Sequence, residues 1–198
     1  MAFQFMPGAT AVGLTCSDSV VLAAEKRVSY GNFVVNKTTK KVFPVTPNVA
    51  AACAGMVADM QVLVRQVSAL SKIRRLETRR DVATNSVAKL MSVIMFERRY
   101  FPLLTQVVVG GIDPNPRIYT LDPLGSLLPD DYAAVGTGAE MALGVLDAEY
   151  KKSIAEAAAK NLVIKSIKSS IQRDSASGDG IDIISISKKG IQEESIKL

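Results

Sequence analysis

ATAVGLTCSDSVVLAAEKR, residues 9–27, reads as two β-strands around one reversal. Residues 9–16 are small or β-branched, Ser17–Asp18–Ser19 is turn chemistry, and VVLAAEKR (20–27) resumes the apolar run, which together make a hairpin. The stretch that opens it is MPGATAVGL, residues 6–14. Gly8 ends a short apolar leader in the manner of a processing site, yet Ala9 follows it with a side chain that can do no chemistry.

Outward from the hairpin, strand-like runs continue at 40–45 and 49–54, and SYGNF (29–33) supplies another reversal. After Gly55 the apolar period lengthens. Val57, Met60, Val64, Val67 and Leu70 predict a helix over about 56–77, and Val87, Leu90, Met91 and Ile94 a second over 82–99. Strands return at 105–112, 117–121 and 132–136. Helices follow at 139–150 and 153–172, then the loop RDSASGDG (173–180) and a strand at 181–188. Strands that are apolar on a face must be covered. The order strands, two helices, strands, two helices, strands predicts an α+β, four-layer αββα sandwich. Residues 9–198 are read as one domain behind a leader at 1–8, since nothing resembling a linker or repeat divides them.

Composition narrows the chemistry. The chain has 198 residues, 48% hydrophobic, a formal charge of +5, two cysteines and no histidine. The lack of histidine excludes Ser-His-Asp and Cys-His catalysis. Two cysteines alone cannot make the usual structural zinc site, so neither metal nor cofactor is expected. Cys16 and Cys53 read as buried thiols. No apolar run is long enough to span a bilayer and the leader lacks a charged n-region, so an intracellular, cytoplasmic protein without a membrane partner is expected. SKIRRLETRR (71–80) concentrates the positive charge. It carries no interleaved aromatics to stack on bases, so a solvated helix end is preferred to a nucleic-acid site.

Seven segments in order carry a resemblance: ATAVGL with VVLAAEKR, NFVVNKTTKKVF, CAGMVADMQVLVR, FERRYFPLLTQVVVGGID, YTLDPLGS, VGTGAEMALGVLDAEY and RDSASGDGIDI. From residue 9 onward the chain resembles a proteasome β subunit of the archaeal type. The resemblance implies the N-terminal nucleophile hydrolase fold and a seven-membered ring in a four-ring barrel, the 20S core particle. Its implied partners are proteasome α subunits, a catalytic β paralogue, β subunits of the opposite ring, and unfolded protein substrates of the particle.

In that family the leader is removed after a glycine, and the exposed threonine acts as nucleophile and, through its amine, as base. An α-amine titrates near neutral pH, which answers the missing histidine. Carried onto this chain, Gly8 matches the glycine at the leader junction and Ala9 the nucleophile. Glu25 stands where an aspartate is usual, Lys41 on the lysine that tunes the attacking group, and Gly55 on the oxyanion-hole residue. Thr137 replaces the usual serine and keeps its hydroxyl. Asp174 and Ser177 match the pair that orients the N-terminus. Ala9 has no oxygen, so the expectation is an inert subunit whose uncut leader lies in the substrate cleft. Ala9 is either natural or an engineered replacement of threonine, and Glu25 favours the former. Thr10 is a poor substitute, because neighbouring strand residues face opposite ways. Blander readings stand beside these: Glu25 and Lys41 as a partly buried ion pair, Asp174 as a turn cap, Gly55 as a strand-to-helix turn.

Overall fold

The computed structural model describes residues 8–198. The leader therefore lies, except for Gly8, outside the described residues. One sheet has the order β10–β1–β2–β11–β12, built from Tyr132–Gly136, Thr10–Thr15, Ser19–Glu25, Gly180–Ser187 and Gly190–Lys197. The other has the order β5–β6–β7–β8–β9, from Val42–Thr46, Val49–Gly55, Thr105–Ile112, Pro116–Leu121 and Leu128–Asp130. A small hairpin, β3 (Val28–Tyr30) with β4 (Phe33–Asn36), stands apart from both. The helices are α1 (Val57–Thr78), α2 (Thr84–Glu97), α3 (Ala139–Glu149) and α4 (Glu156–Ile171).

Three apolar layers hold these elements in the expected αββα stack. Between the sheets lie Ala9, Ala11, Leu22, Ala52, Ala54 and Val108 among others. Met60, Leu63, Val67 and Met91 close α1 and α2 onto the second sheet. Leu146, Val163 and Ile167 close α3 and α4 onto the first. Strand β1 is buried at every position because both of its faces are covered. Its alternation survives inside that burial. Ala9 and Ala11 face the other sheet, while Val12 and Leu14 face α3 and α4.

The departures from sequence expectation are local. Helix α4 starts at Glu156 rather than Ser153, because Ser153 takes a left-handed φ of 63° that a right-handed helix cannot continue. Strands β9 and β12 were not anticipated; β9 is exposed throughout, β12 is mostly exposed, and neither carries an apolar alternation. Leu70, placed on the buried stripe of α1, is 41% exposed, and Ser71 takes the inward position one residue later. No helix among the described residues is long and apolar enough to cross a membrane.

Candidate active site

Strand pairing assembles the site. In the first sheet, Thr10 lies opposite Gly136 of β10, so Thr137 falls beside Ala9. Ala11 lies opposite Ala24 of β2, so Glu25 falls beside Thr10. Ile181 of β11 lies opposite Glu25, which draws the preceding loop, with Asp174 and Ser177, to the same strand ends. Lys41 arrives from the second sheet. It immediately precedes β5, and its carbonyl accepts a hydrogen bond from the Cys53 amide of β6 (2.9 Å).

Two polar clusters grip the head of β1, one on each of two successive amides. The Ala9 N–H donates to Thr137 Oγ1 (3.2 Å), and the Thr10 N–H reaches Glu25 Oε1 (3.4 Å). On the first side a chain of short bonds runs from Thr137 Oγ1 to Asp174 Oδ2 (2.6 Å) and from Ser177 Oγ to the same oxygen (2.7 Å). Asp174 also accepts the Ala176 amide (3.0 Å), so it caps its turn as well as joining the two hydroxyls.

On the second side, Glu25 and Lys41 form an ion pair that is 0% and 1% exposed, wholly rather than partly buried. Glu25 Oε2 takes the amides of Arg27 (2.7 Å) and Gly178 (3.0 Å), and Lys41 Nζ donates to the Arg27 carbonyl as well as to Glu25. These bonds satisfy charges that burial alone would expel. Burial pushes the Glu25 carboxyl above its ordinary range, against the pull of Lys41 and the two amides. Burial likewise pushes the Lys41 ammonium down, against the pull of Glu25. The pair joins the end of β2 in one sheet to the start of β5 in the other.

Gly55 and Gly8 are among the glycines here that fit where a side chain cannot. Gly55 has φ +126° at the passage from β6 into α1, and a Cβ there would land on the Leu104 carbonyl oxygen. Gly55→Ala is expected to cost about 2 kcal/mol or more, from backbone strain and the clash together. Denaturant unfolding reads this, and an unchanged midpoint would show that the turn relaxes freely. A Cβ on Gly8 would strike Ala176 and Thr137. Ala54, the neighbour of Gly55, and the Ala9 carbonyl both lie against Gly136, so Gly55 stands near the same strand ends.

All eight residues singled out from the sequence therefore gather around the start of β1. Two further residues take part in ways the sequence did not show. Thr10 Oγ1 is hydrogen-bonded to Ser177 Oγ (2.8 Å), and Thr10 is fully buried. A Cβ on Gly138, just before α3, would meet that hydroxyl, so Thr10 points to the helix side, away from the inter-sheet face of Ala9. Arg27 braces the loop, donating from Nε to Asp179 (2.8 Å) and from Nη1 to the Ser175 carbonyl (3.0 Å). Its guanidinium holds the Asp179 carboxyl below the usual range. The acidic loop and the E-K-R run were visible in the sequence, but nothing local pairs residues 152 apart.

The remaining chemistry-bearing side chains are sequestered. Burial pushes the Cys16 thiol up to about 11 and the Cys53 thiol up to about 12. The thiolate is the reactive form. Neither cysteine is therefore expected to react with an alkylating reagent at pH 8 in the native chain, while both react in denaturant. Rapid native labelling would contradict this burial. Among the described residues no group of three metal-ligating side chains is present.

Two antiparallel sheets face to face between helix pairs give the four-layer α+β architecture of the N-terminal nucleophile hydrolase fold. The chain belongs to the proteasome subunit family, whose model, "Proteasome subunit", matches residues 6–186. It is 60% identical over 190 residues to "Proteasome subunit beta 1" of Nitrosopumilus maritimus, covering 96% of each chain. It is 49% identical over 199 residues to "Proteasome subunit beta 2" of Pyrobaculum arsenaticum, covering 100% of this chain and 98% of that one. A "Proteasome subunit beta 1" of Ignicoccus hospitalis matches over 180 residues at 46%, covering 91% of each. These relatives put the chain on the β side of the family.

Proposed function

We propose that this chain is a non-catalytic β subunit of the 20S proteasome core particle. Residues 9–198 form the subunit domain and residues 1–8 an uncut leader. It completes the β ring beside a threonine-bearing paralogue, contacts α subunits and the opposite β ring, and shapes a chamber in which unfolded proteins are cut by its neighbours. The particle works in the cytoplasm, without metal or cofactor.

One observation carries the reading. The two clusters converge on the backbone of Ala9 and Thr10, and the residue between them and the inter-sheet face is an alanine. In this reading Lys41, paired with Glu25, would tune an attacking oxygen, and Asp174 and Ser177, through Thr137, would hold the amine beside it. A Gly55 N–H would receive the developing oxyanion, a contribution worth about 2.7–4 kcal/mol in acyl transfer. Ala9 supplies no oxygen, and while Gly8–Ala9 remains joined its nitrogen is an amide with no basicity. Nucleophile and base are missing together.

The alternative, a threonine peptidase starting at Thr10, requires β1 to slide by one residue and turn Val12 and Leu14 out of the α3–α4 layer. The present position of Thr10 Oγ1, inward on Ser177, weighs against it. The nucleic-acid alternative has only the basic end of α1 in its favour.

The test is the intact mass of this chain within the assembled particle, treated with a threonine-directed covalent inhibitor. The expected result is an unmodified chain that keeps residues 2–8. A chain that begins at Thr10 and carries the inhibitor would overturn the proposal.

A further inference from the structure

The last two turns of α1 leave the body of the molecule. Residues 72–80 are exposed without interruption, although the same helix is buried on one face up to Ser71. Ile73 is 53% and Leu76 70% exposed, and they alternate with Lys72, Arg74, Arg75, Arg79 and Arg80 against one carboxylate, Glu77. Two apolar side chains three residues apart on an exposed helix end, rimmed by mostly positive charge, have the composition of a surface that another molecule can cover.

Where this end meets the fold there is a cavity of about 140 Å³ between α1 and the β5–β6 turn, lined by Thr46, Ser68, Ser71, Lys72 and Arg75 among others. Its hydroxyls are not equivalent. Ser68 Oγ donates to the Val45 carbonyl (2.9 Å) and Thr46 Oγ1 to Asn48 (3.0 Å). Ser71 is 2% exposed, and its Oγ has no hydrogen-bond partner among the described residues. A buried hydroxyl left unpaired costs about 1–3 kcal/mol. Three other buried hydroxyls share that state, those of Ser19, Thr84 and Ser185, and none of them lines this cavity. No carboxylate lines it either. Arg75 pairs with Asp81 at an exposed position (2.8 Å), and Lys72 has no ion-pair partner among the described residues. Lys72 and Arg75 also line the adjoining open groove with Leu76 and Arg79, so cavity and groove form one basic track.

We infer that this cavity is an anchor for a carboxylate side chain, Asp or Glu, presented by a neighbouring subunit of the particle. Ser71 Oγ and the Lys72 ammonium donate to it, the Arg75 guanidinium closes over it, and Ile73 and Leu76 pack against the apolar flank of the same acidic segment. A carboxylate is the group that satisfies an orphaned donor and the unpaired Lys72 together, with the Arg75 guanidinium, already paired with Asp81, able to share a second carboxylate, and charge-assisted bonds of this kind are the stronger class. A protein segment is favoured over a free anion because the exposed apolar residues need a covering that an ion does not give. A polynucleotide is disfavoured for the same reason, and because no aromatic side chain lies within 71–80. The inference rests on the proposed membership of a multi-subunit particle.

The experiment has two arms. In the first, the assembled particle is treated with a zero-length carbodiimide, which joins an ammonium to a carboxylate in contact, and cross-linked peptides are read by mass spectrometry. A cross-link from Lys72 to an Asp or Glu of another chain is expected. In the second, Lys72→Glu/Arg75→Glu is compared with the charge-matched Arg74→Glu/Arg80→Glu, which spares the cavity. The first variant should lower co-assembly by about tenfold or more, with a weaker salt dependence, and the second should change it little. Equal effects of the two variants would reduce the site to general charge and overturn the inference. So would a Lys72 that stays unlinked while other subunit contacts are captured, or a salt-sensitive oligonucleotide complex that depends on Lys72 and Arg75. Failure of the wild-type chain to enter any particle would instead remove the proposed function, and the anchor with it.

Discussion

Ala9→Thr is expected to make this chain, on the non-catalytic proposal, remove its own residues 1–8 and then react with a threonine-directed inhibitor. The surroundings need no rebuilding. The Ala9 amide is already held by Thr137, the neighbouring amide by Glu25, and Glu25 is already paired with Lys41. A hydroxyl on residue 9 would stand on the inter-sheet side, the side from which Lys41 enters. Removing a nucleophile from a comparable covalent mechanism costs on the order of 10⁶ in rate, so its return should lift hydrolysis from background to a readily measured level. Ala9→Val is the control, with the shape of threonine and no oxygen, and it should stay full-length and unlabelled. An Ala9→Thr chain that assembles yet keeps its leader and resists the inhibitor would refute the idea of a poised site. The Glu25 side chain, one methylene longer than the usual aspartate, would then be the first cause to examine.

Lys41→Met is expected to destabilise the folded chain by about 3–5 kcal/mol, because it leaves the Glu25 carboxylate buried without its cation. The two remaining amides and the weak bond from Thr10 cannot replace a full charge. The deficit should depend on pH. Burial already raises the folded-state pKa of Glu25, and loss of Lys41 raises it further. A carboxyl raised in the folded state lends stability below its unfolded pKa and loses it as pH rises through the folded value. The variant should therefore be closest to wild type in acid and fall behind toward neutrality. Pairing Lys41→Met with Glu25→Gln should recover much of the loss, since neither partner is then a stranded ion. A single-variant cost below about 1 kcal/mol would mean that water reaches the pair, contrary to its burial.

Helix and strand periods, turn residues and the order of elements were legible in the chain itself. A covered strand still alternates, a helix still repeats near every 3.6 residues, and both patterns are local. The αββα order followed from that, because each apolar face had to be covered. The candidate site was legible only through segments lying in family order, Gly8 to Ser177, and what it could be read to lack was equally plain, since an alanine has no oxygen wherever it sits. The sequence was silent on depth and direction. It left Glu25–Lys41 as a partly buried pair, whereas the closing of two sheets over the strand ends buries it completely. It could not see Arg27 reach Asp179, or the Thr10 hydroxyl join Ser177, because pairing of β1, β2 and β11 brings those residues together across gaps of 152 and 167 positions. Leu70 and Ser71 make the same point on α1. Periodicity nominates a stripe to within a residue, and only the surface it packs against decides which side chain is turned inward.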